Sequence, residues 1–139
     1  MRATRTQAEV EAAMRLRRRV FCDEQGVALE AEQDGRDDEA VHLIVLEHGR
    51  LVGTCRLLMD GGAARLGRMA VEPERRGAGV GGALLREADR VAAAAGTARI
   101  RLHAQTYARG VYDRAGYEAL GEPFLEEGIE HVTMEKHLA

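Results

Sequence analysis

Four glycines fall within the six residues Gly77-Ala78-Gly79-Val80-Gly81-Gly82, directly after the cations Arg75-Arg76. Glycine has no Cβ, so the amides of such a stretch can crowd around a ligand in conformations that other residues resist. The run before it, Leu66-Gly67-Arg68-Met69-Ala70-Val71, has strand character. The run after it, Ala83-Leu84-Leu85-Arg86-Glu87-Ala88, has helical character. Unpaired amides at a helix start, backed by the helix dipole, favour an anion, so the stretch reads as a phosphate cradle. A plain strand-to-helix turn would need only one or two glycines, and each further one destabilises the helix end.

The elements that must position this cradle are legible on both sides. Thr6-Gln7-Ala8-Glu9 fits a capping box and opens a helix over 7–20. Residues 26–39 hold few apolar groups and read as a long loop. Strands are expected over 41–46, 51–58 and 66–71, separated by the turns His48-Gly49 and Asp60-Gly61-Gly62, which makes an antiparallel meander. A helix over about 79–95 then ends at Gly96. The alternating run Arg99 to Ala104 returns as a strand, and a strand–helix–strand unit forces a parallel pairing. A short helix from Tyr107 to Ala115 closes at Gly116. Two last strands, Tyr117 to Leu120 and Ile129 to Met134, flank a loop bearing glycine and proline. The whole of 1–139 reads as a single domain of class α/β (α+β): a mixed, mostly antiparallel central sheet flanked by helices.

Composition excludes several function classes. No apolar run approaches the roughly 18 residues of a membrane helix. Met1-Arg2-Ala3-Thr4-Arg5-Thr6 lacks the apolar core of a secretion signal, so the expected location is cytoplasmic and membrane association is not expected. Cys22 and Cys55 lie far apart without metal-ligand spacing and read as reduced thiols. The five histidines are too scattered to suggest a metal site. A net charge of −3 gives no attraction to nucleic acid. The charge is uneven, however: Arg15, Arg17, Arg18 and Arg19 cluster, and residues 23–39 carry eight acids against Arg36 alone. These acids either form a solvated face or set up a field that draws in a cationic substrate.

Gly77 to Gly82 also fits the dinucleotide pattern G-x-G-x-x-G, but it follows three antiparallel strands rather than the first strand of a parallel unit. The acid expected roughly 20 residues on is replaced by Ile100-Arg101-Leu102-His103. No P-loop pattern is present. The better match is to the GNAT acyltransferase superfamily, whose signature [QR]-x-x-G-x-[GA] is met by Arg76-Gly77-Ala78-Gly79-Val80-Gly81. Tyr112-Asp113-Arg114-Ala115-Gly116-Tyr117 resembles that family's Y-x-x-x-G-[FY] element. The chain is similar over nearly its whole length to the ElaA-like branch. That likeness is carried by Arg18-Arg19-Val20-Phe21, Glu24-Gln25-Gly26-Val27, Asp34-Gly35, Ala40-Val41-His42-Leu43, His103-Ala104-Gln105-Thr106 and Gly128-Ile129-Glu130-His131.

The resemblance implies an acetyl-CoA-dependent N-acetyltransferase acting on a small-molecule or peptide amine. The pyrophosphate would lie on the amides of Gly77, Ala78, Gly79, Val80, Gly81 and Gly82, with a charge-assisted contact from Arg75 or Arg76. The pantetheine arm would pair with the backbone of Met69, Ala70 and Val71. Gln105 stands where many members carry asparagine, and Tyr112 is placed to protonate the leaving sulfur. Glu24, Gln25, Asp34, His42, Arg68 and His131 are the expected acceptor-side groups. The base that takes the amine proton stays open among Glu24, Asp34, His42, His103, His131 and water. Tyr107 and Tyr117 read as packing residues. Dimers are common in this superfamily, so a homodimer is compatible with the resemblance. The competing function is an acyl-CoA-binding sensor or interaction module without catalysis.

Overall fold

In the computed structural model, which describes residues 1–138, seven strands form one sheet with helices against both faces. The strands are β1 (Arg2–Ala3), β2 (Val41–Glu47), β3 (Arg50–Asp60), β4 (Ala63–Val71), β5 (Arg99–Gln105), β6 (Glu118–Glu126) and β7 (Ile129–His137). Their order across the sheet is β1-β2-β3-β4-β5-β7-β6. The α-helices are α1 (Gln7–Arg17), α2 (Leu29–Glu32), α3 (Val80–Ala94) and α4 (Gly110–Arg114). The expected meander is β2-β3-β4, and the one parallel pair is β4 with β5, joined through α3.

Local chemistry explains most of the boundaries. Thr6 caps α1, its Oγ1 accepting from the Glu9 N–H at 3.1 Å. Glu9 does not complete the box. Its carboxylate turns to the Arg2 guanidinium and the Arg5 N–H, and these donors hold its pKa down at about 2. The helix does not end at residue 20 as expected. It widens into a π-helical turn, Arg18–Glu24, in which the Gln25 N–H reaches the Val20 carbonyl five residues back at 3.1 Å. The loop expected over 26–39 contains α2 and a 3₁₀ turn, Asp37–Glu39. His48-Gly49 and Glu127-Gly128 have the paired positive φ values (52° and 77°, 52° and 74°) that a two-residue hairpin requires. β6 runs on past the expected Leu120. It absorbs Gly121-Glu122-Pro123 as a register shift, which an edge strand tolerates because proline there breaks no needed ladder bond.

Two packing layers hold the sheet. On one face, α3 buries Val80, Leu84, Leu85, Ala88 and Ala92, and its alanines let it sit close to β3. A Cβ built on Gly53 would lie 2.5 Å from Val80 Cγ1 and 3.4 Å from Leu84 Cδ1, so only glycine admits the start of α3 there. On the other face, Leu16 and Val20 pack on Ala70.

The parallel pairing is short. It runs from Ala63↔Arg99 to Leu66↔Leu102 and then stops. At that point β4 gains a residue against β3: Arg56 faces Gly67, while Thr54 faces Ala70. This bulge puts Arg68 at φ 54°, a left-handed conformation that costs a non-glycine residue about 1–2 kcal/mol. The side chain of Arg68 is tied down on the α1 face. Its Nε reaches the Glu32 carbonyl and carboxylate at 3.1 and 3.2 Å, and its Nη2 reaches Asp34 at 3.4 Å. Glu32 also takes Arg17 Nε at 3.0 Å, and both side chains are almost wholly buried. Arg56 clamps Asp34 with two contacts of 2.8 Å, and Asp37 bridges Arg17 and Arg56 at 2.8 and 3.2 Å. Three arginines and three carboxylates thus lock α1, α2, β3 and the bulge together.

Overpacking a closed contact costs about 1–3 kcal/mol. We expect Gly53→Ala to lower the unfolding free energy by about that amount in urea melts, because the added methyl meets Val80. Gly62→Ala, with nothing within 4 Å of the added carbon, should leave it nearly unchanged. Equal effects of the two would show that α3 does not press on Gly53.

Candidate active site

Where β4 and β5 part, a cleft of about 1720 Å³ opens through the sheet. Gly67 and Gly81 stand on its walls, and a Cβ at Gly67 would meet nothing within 4 Å. The glycine stretch forms one end. Gly77 and Gly79 have φ 77° and 90°, which a side-chain-bearing residue would resist. A Cβ at either would meet nothing within 4 Å, so the space in front of both is open. Gly79 is the N-cap of α3 with no side-chain cap, and the Ala83 N–H makes the first intrahelical bond, to the Gly79 carbonyl at 3.0 Å. The six amides from Gly77 to Gly82 have no acceptor among the described residues. Unpaired amides at the positive end of a 15-residue helix suit an anion.

A strand edge leads from this cradle into the cleft. The Glu72 N–H bonds the Val52 carbonyl at 2.9 Å, so by the alternation of the ladder Val71 turns its own N–H and C=O away from β3, toward the opening. Ala70 points its side chain to α1, and Met69 points its sulfur to the Tyr112 hydroxyl at 3.8 Å and close to Gly81. Tyr112, on α4, is nearly buried and packs edge-on against Tyr117 at 6.1 Å. Burial, with smaller contributions from Cys55 and Tyr107, pushes the Tyr112 pKa above its ordinary value, so the phenol keeps its proton.

The remaining expected groups divide clearly. Arg75 is clamped by Glu47 at 2.6 and 2.8 Å, and Arg76 by Glu24 at 2.6 and 2.9 Å, so neither guanidinium is free at the cradle. Arg76 Nε also caps the Val71 carbonyl at 3.1 Å. Gln25 and Gln105 exchange two amide bonds of 2.8 and 3.1 Å across the cleft mouth. Gln25 also donates to the Tyr107 hydroxyl at 3.1 Å. Tyr107 is 77% exposed and is therefore not the packing residue the sequence suggests. His42 does not line the cleft. Its Nε2 meets the Asp37 carbonyl at 2.9 Å, which removes it from the acceptor side. Arg68 and Asp34 line the cleft but are spent on the network described above. His131 and His103 do line it, around Phe124 and Glu126. Glu126 and Phe124 are not marked in the sequence, because Gly121 and Pro123 read as a loop and Phe124-Leu125-Glu126-Glu127 lacks the alternation of a strand.

The acidic segment is thus neither a plain solvated face nor a free attracting field, since Glu32, Asp34 and Asp37 are matched by Arg17, Arg56 and Arg68. Arg56, against the opposing effect of burial, holds the Asp34 carboxyl well below the usual carboxylate range. A folded pKa below the unfolded value of ~3.9 gives stability that is complete above about pH 4 to 5 and drains away as pH falls further. We expect Asp34→Asn to melt lower at neutral pH and to show a flatter loss of stability below about pH 4 than the wild type. An acid limb as steep as that of the wild type would remove Asp34 as a titrating group.

Comparison with known proteins agrees with this geometry. The family model described as acetyltransferase (GNAT) domain matches residues 3–138. The uncharacterized N-acetyltransferase YjcF of Bacillus subtilis (strain 168) is 35% identical over 133 residues, 95% of each chain. Among solved structures, an acyl-CoA N-acyltransferase from Pseudomonas aeruginosa superposes with a TM-score of 0.83 at 30% identity, covering 95% of this chain and 92% of that one. Escherichia coli ElaA gives a TM-score of 0.85 at 25% identity, covering 94% and 92%. With a family model spanning all but its ends, and a relative this similar along its whole length, the chain belongs to the GNAT acetyltransferase family.

Proposed function

We propose that the protein is an acetyl-CoA-dependent N-acetyltransferase that moves an acetyl group directly to a primary amine of a small molecule or peptide, with Tyr112 as general acid. One observation carries the reading: six orphan amides at the start of α3 adjoin a free strand edge that runs to a buried tyrosine hydroxyl. That order of groups suits a ligand with a diphosphate at one end, an amide-bearing arm in the middle and a sulfur at the other end.

The amides of Gly77 to Gly82 would hold the diphosphate, and the outward N–H and C=O of Val71 would pair with the arm as an added strand does. For Arg76 to add a contact it must leave Glu24, and the Val71 carbonyl is free only once Arg76 Nε releases it. Bound acetyl-CoA supplies an acetyl thioester, which an uncharged amine attacks at the carbonyl carbon. A backbone N–H on the free β4 edge is suited to stabilise charge on that oxygen. Tyr112, kept protonated by burial, is suited to donate to sulfur as it departs, and its ring is held in place by Tyr117.

The test is thiol release from acetyl-CoA across polyamines, amino sugars, amino acids, aminoglycosides and short peptides. We expect at least one amine to accelerate release, and Tyr112→Phe to lower the maximal rate with that amine by about 10²–10⁴-fold while leaving acetyl-CoA affinity nearly unchanged. Normal turnover by Tyr112→Phe would make Tyr112 a packing residue. Tight binding without thiol release from any amine would favour a non-catalytic acyl-CoA-binding module.

A further inference from the structure

The acceptor side carries its own chemistry. His131 lies on β7 opposite Gln105, the last residue of β5, and opposite Phe124 on β6, so it stands where β5 has already left β4. Its Nδ1 is 2.7 Å from the carbonyl oxygen of Ile129. A carbonyl only accepts, so Nδ1 must carry the proton, and the neutral ring therefore presents a bare lone pair at Nε2. The side chain is only 9% exposed, yet Nε2 makes no hydrogen bond among the described residues and is not sealed from the cleft.

What faces this lone pair is another acceptor. Glu126 Oε2 lies 3.7 Å from Nε2, too far for a hydrogen bond and with no donor between them. The other Glu126 oxygen takes His103 Nδ1 at 3.1 Å, which fixes the carboxylate. The Phe124 ring stacks on His131 (6.1 Å, 23°) and meets His103 edge-on (5.0 Å, 79°), which fixes both imidazole planes. A nitrogen bearing several N–H donors and placed about 2.8 Å from each acceptor would span the gap and satisfy both. An alkylammonium has that donor set and the charge to match Glu126.

We infer that Glu126 and His131 receive the ammonium nitrogen of the acceptor, and that His131 Nε2 is the base that takes its proton. The inference rests on the acyl-transfer reading and names its acceptor class: primary amines that arrive protonated. One N–H bond of the ammonium breaks, its electron pair stays on nitrogen as the nucleophile, and the proton forms the second N–H bond of His131. The imidazolium so formed lies beside the Glu126 carboxylate, which offsets its charge. After attack, the nitrogen loses a second proton, which replaces the one that Tyr112 gives to sulfur. The imidazolium returns its proton to water. The balance is one ammonium and one thioester in, and one amide, one thiol and one proton out.

Two measurements test this. The first compares ethylamine with trifluoroethylamine, which has nearly the same shape but reaches the enzyme mostly as the free base. His131→Gln should lower thiol release with ethylamine at neutral pH by about 10²–10⁴-fold, and with trifluoroethylamine by less than about tenfold. Equal losses with the two amines would make His131 a structural group and overturn the inference. The second needs no turnover: nitrogen NMR of the His131 ring in the unliganded chain, in mildly alkaline buffer. We expect a proton on Nδ1 and a bare Nε2 whose resonance moves with ethylammonium chloride. It should not move with tetramethylammonium chloride, which has the charge but no donor, and the ethylammonium response should be lost in Glu126→Gln. A proton on Nε2, no response, or the same response to both salts would overturn the inference even in an active acetyltransferase. The expected NMR response without thiol release from any amine would instead count against acyl transfer and leave the ammonium site standing.

Discussion

One extra residue in β4 makes the cleft. The parallel pairing with β5 ends at Leu66, and the bulge begins at Gly67 and Arg68. An unbulged β4 continuing in register would carry the pairing further and leave no gap in the sheet for a ligand. The bulge holds Arg68 in a conformation that its own side chain disfavours, so something else must fix it. That something is the arginine–carboxylate network of Arg17, Glu32, Asp34, Arg56, Asp37 and Arg68. Buried pairs of this kind add little net stability over well-packed apolar groups, but removing one partner strands a buried charge at a cost of about 3–5 kcal/mol. Each member is therefore held by the others, and together they fix where α1, α2 and the bulge meet.

The cleft has two chemically distinct sides because the bulge opens the sheet through both faces. On the α3 side lie orphan amides, a free strand edge and a phenol that burial keeps protonated. On the α1 side lie the Gln25–Gln105 amide pair and, beyond it, an imidazole lone pair facing a carboxylate. The first set suits an anion and a departing sulfur, and the second suits a cation that must lose a proton. In the unliganded chain Arg75 and Arg76 are paired with Glu47 and Glu24, whereas Arg86, whose Nη1 comes within 3.6 Å of the Cβ position on Gly82, has no ion-pair partner among the described residues. A diphosphate would therefore meet backbone dipoles together with an unpaired guanidinium.

The sequence made the α3 side legible and left most of the α1 side hidden, for a physical reason. Glycine spacing, a strand before it and an amphipathic helix after it are local signals, and Gly77 to Gly82, β4 and α3 follow from neighbours in the chain. Tyr112 was readable through a motif only a few residues long. The partners of Arg17, Arg56, Arg68 and Arg76 lie 15 to 52 residues away, and no local pattern marks which acid meets which base. The acids of residues 23–39 therefore read as either a solvated face or an attracting field. The π-helical turn escaped because α and π windings draw on the same residue types. Gly121 and Pro123 looked like the end of β6, which hid Glu126 and Phe124 and, with them, the surroundings of His131.

The central claim is that the unpaired amides at the start of α3 are the diphosphate site of a coenzyme A thioester. The most direct measurement is a backbone amide NMR titration of the folded chain with coenzyme A, run beside one with NAD. We expect the largest shifts at Gly77, Ala78, Gly79, Val80, Gly81 and Gly82, followed by Val71 on the free edge of β4, with NAD producing none of them. Coenzyme A shifts that leave these amides still, or an equal response to NAD, would contradict the claim.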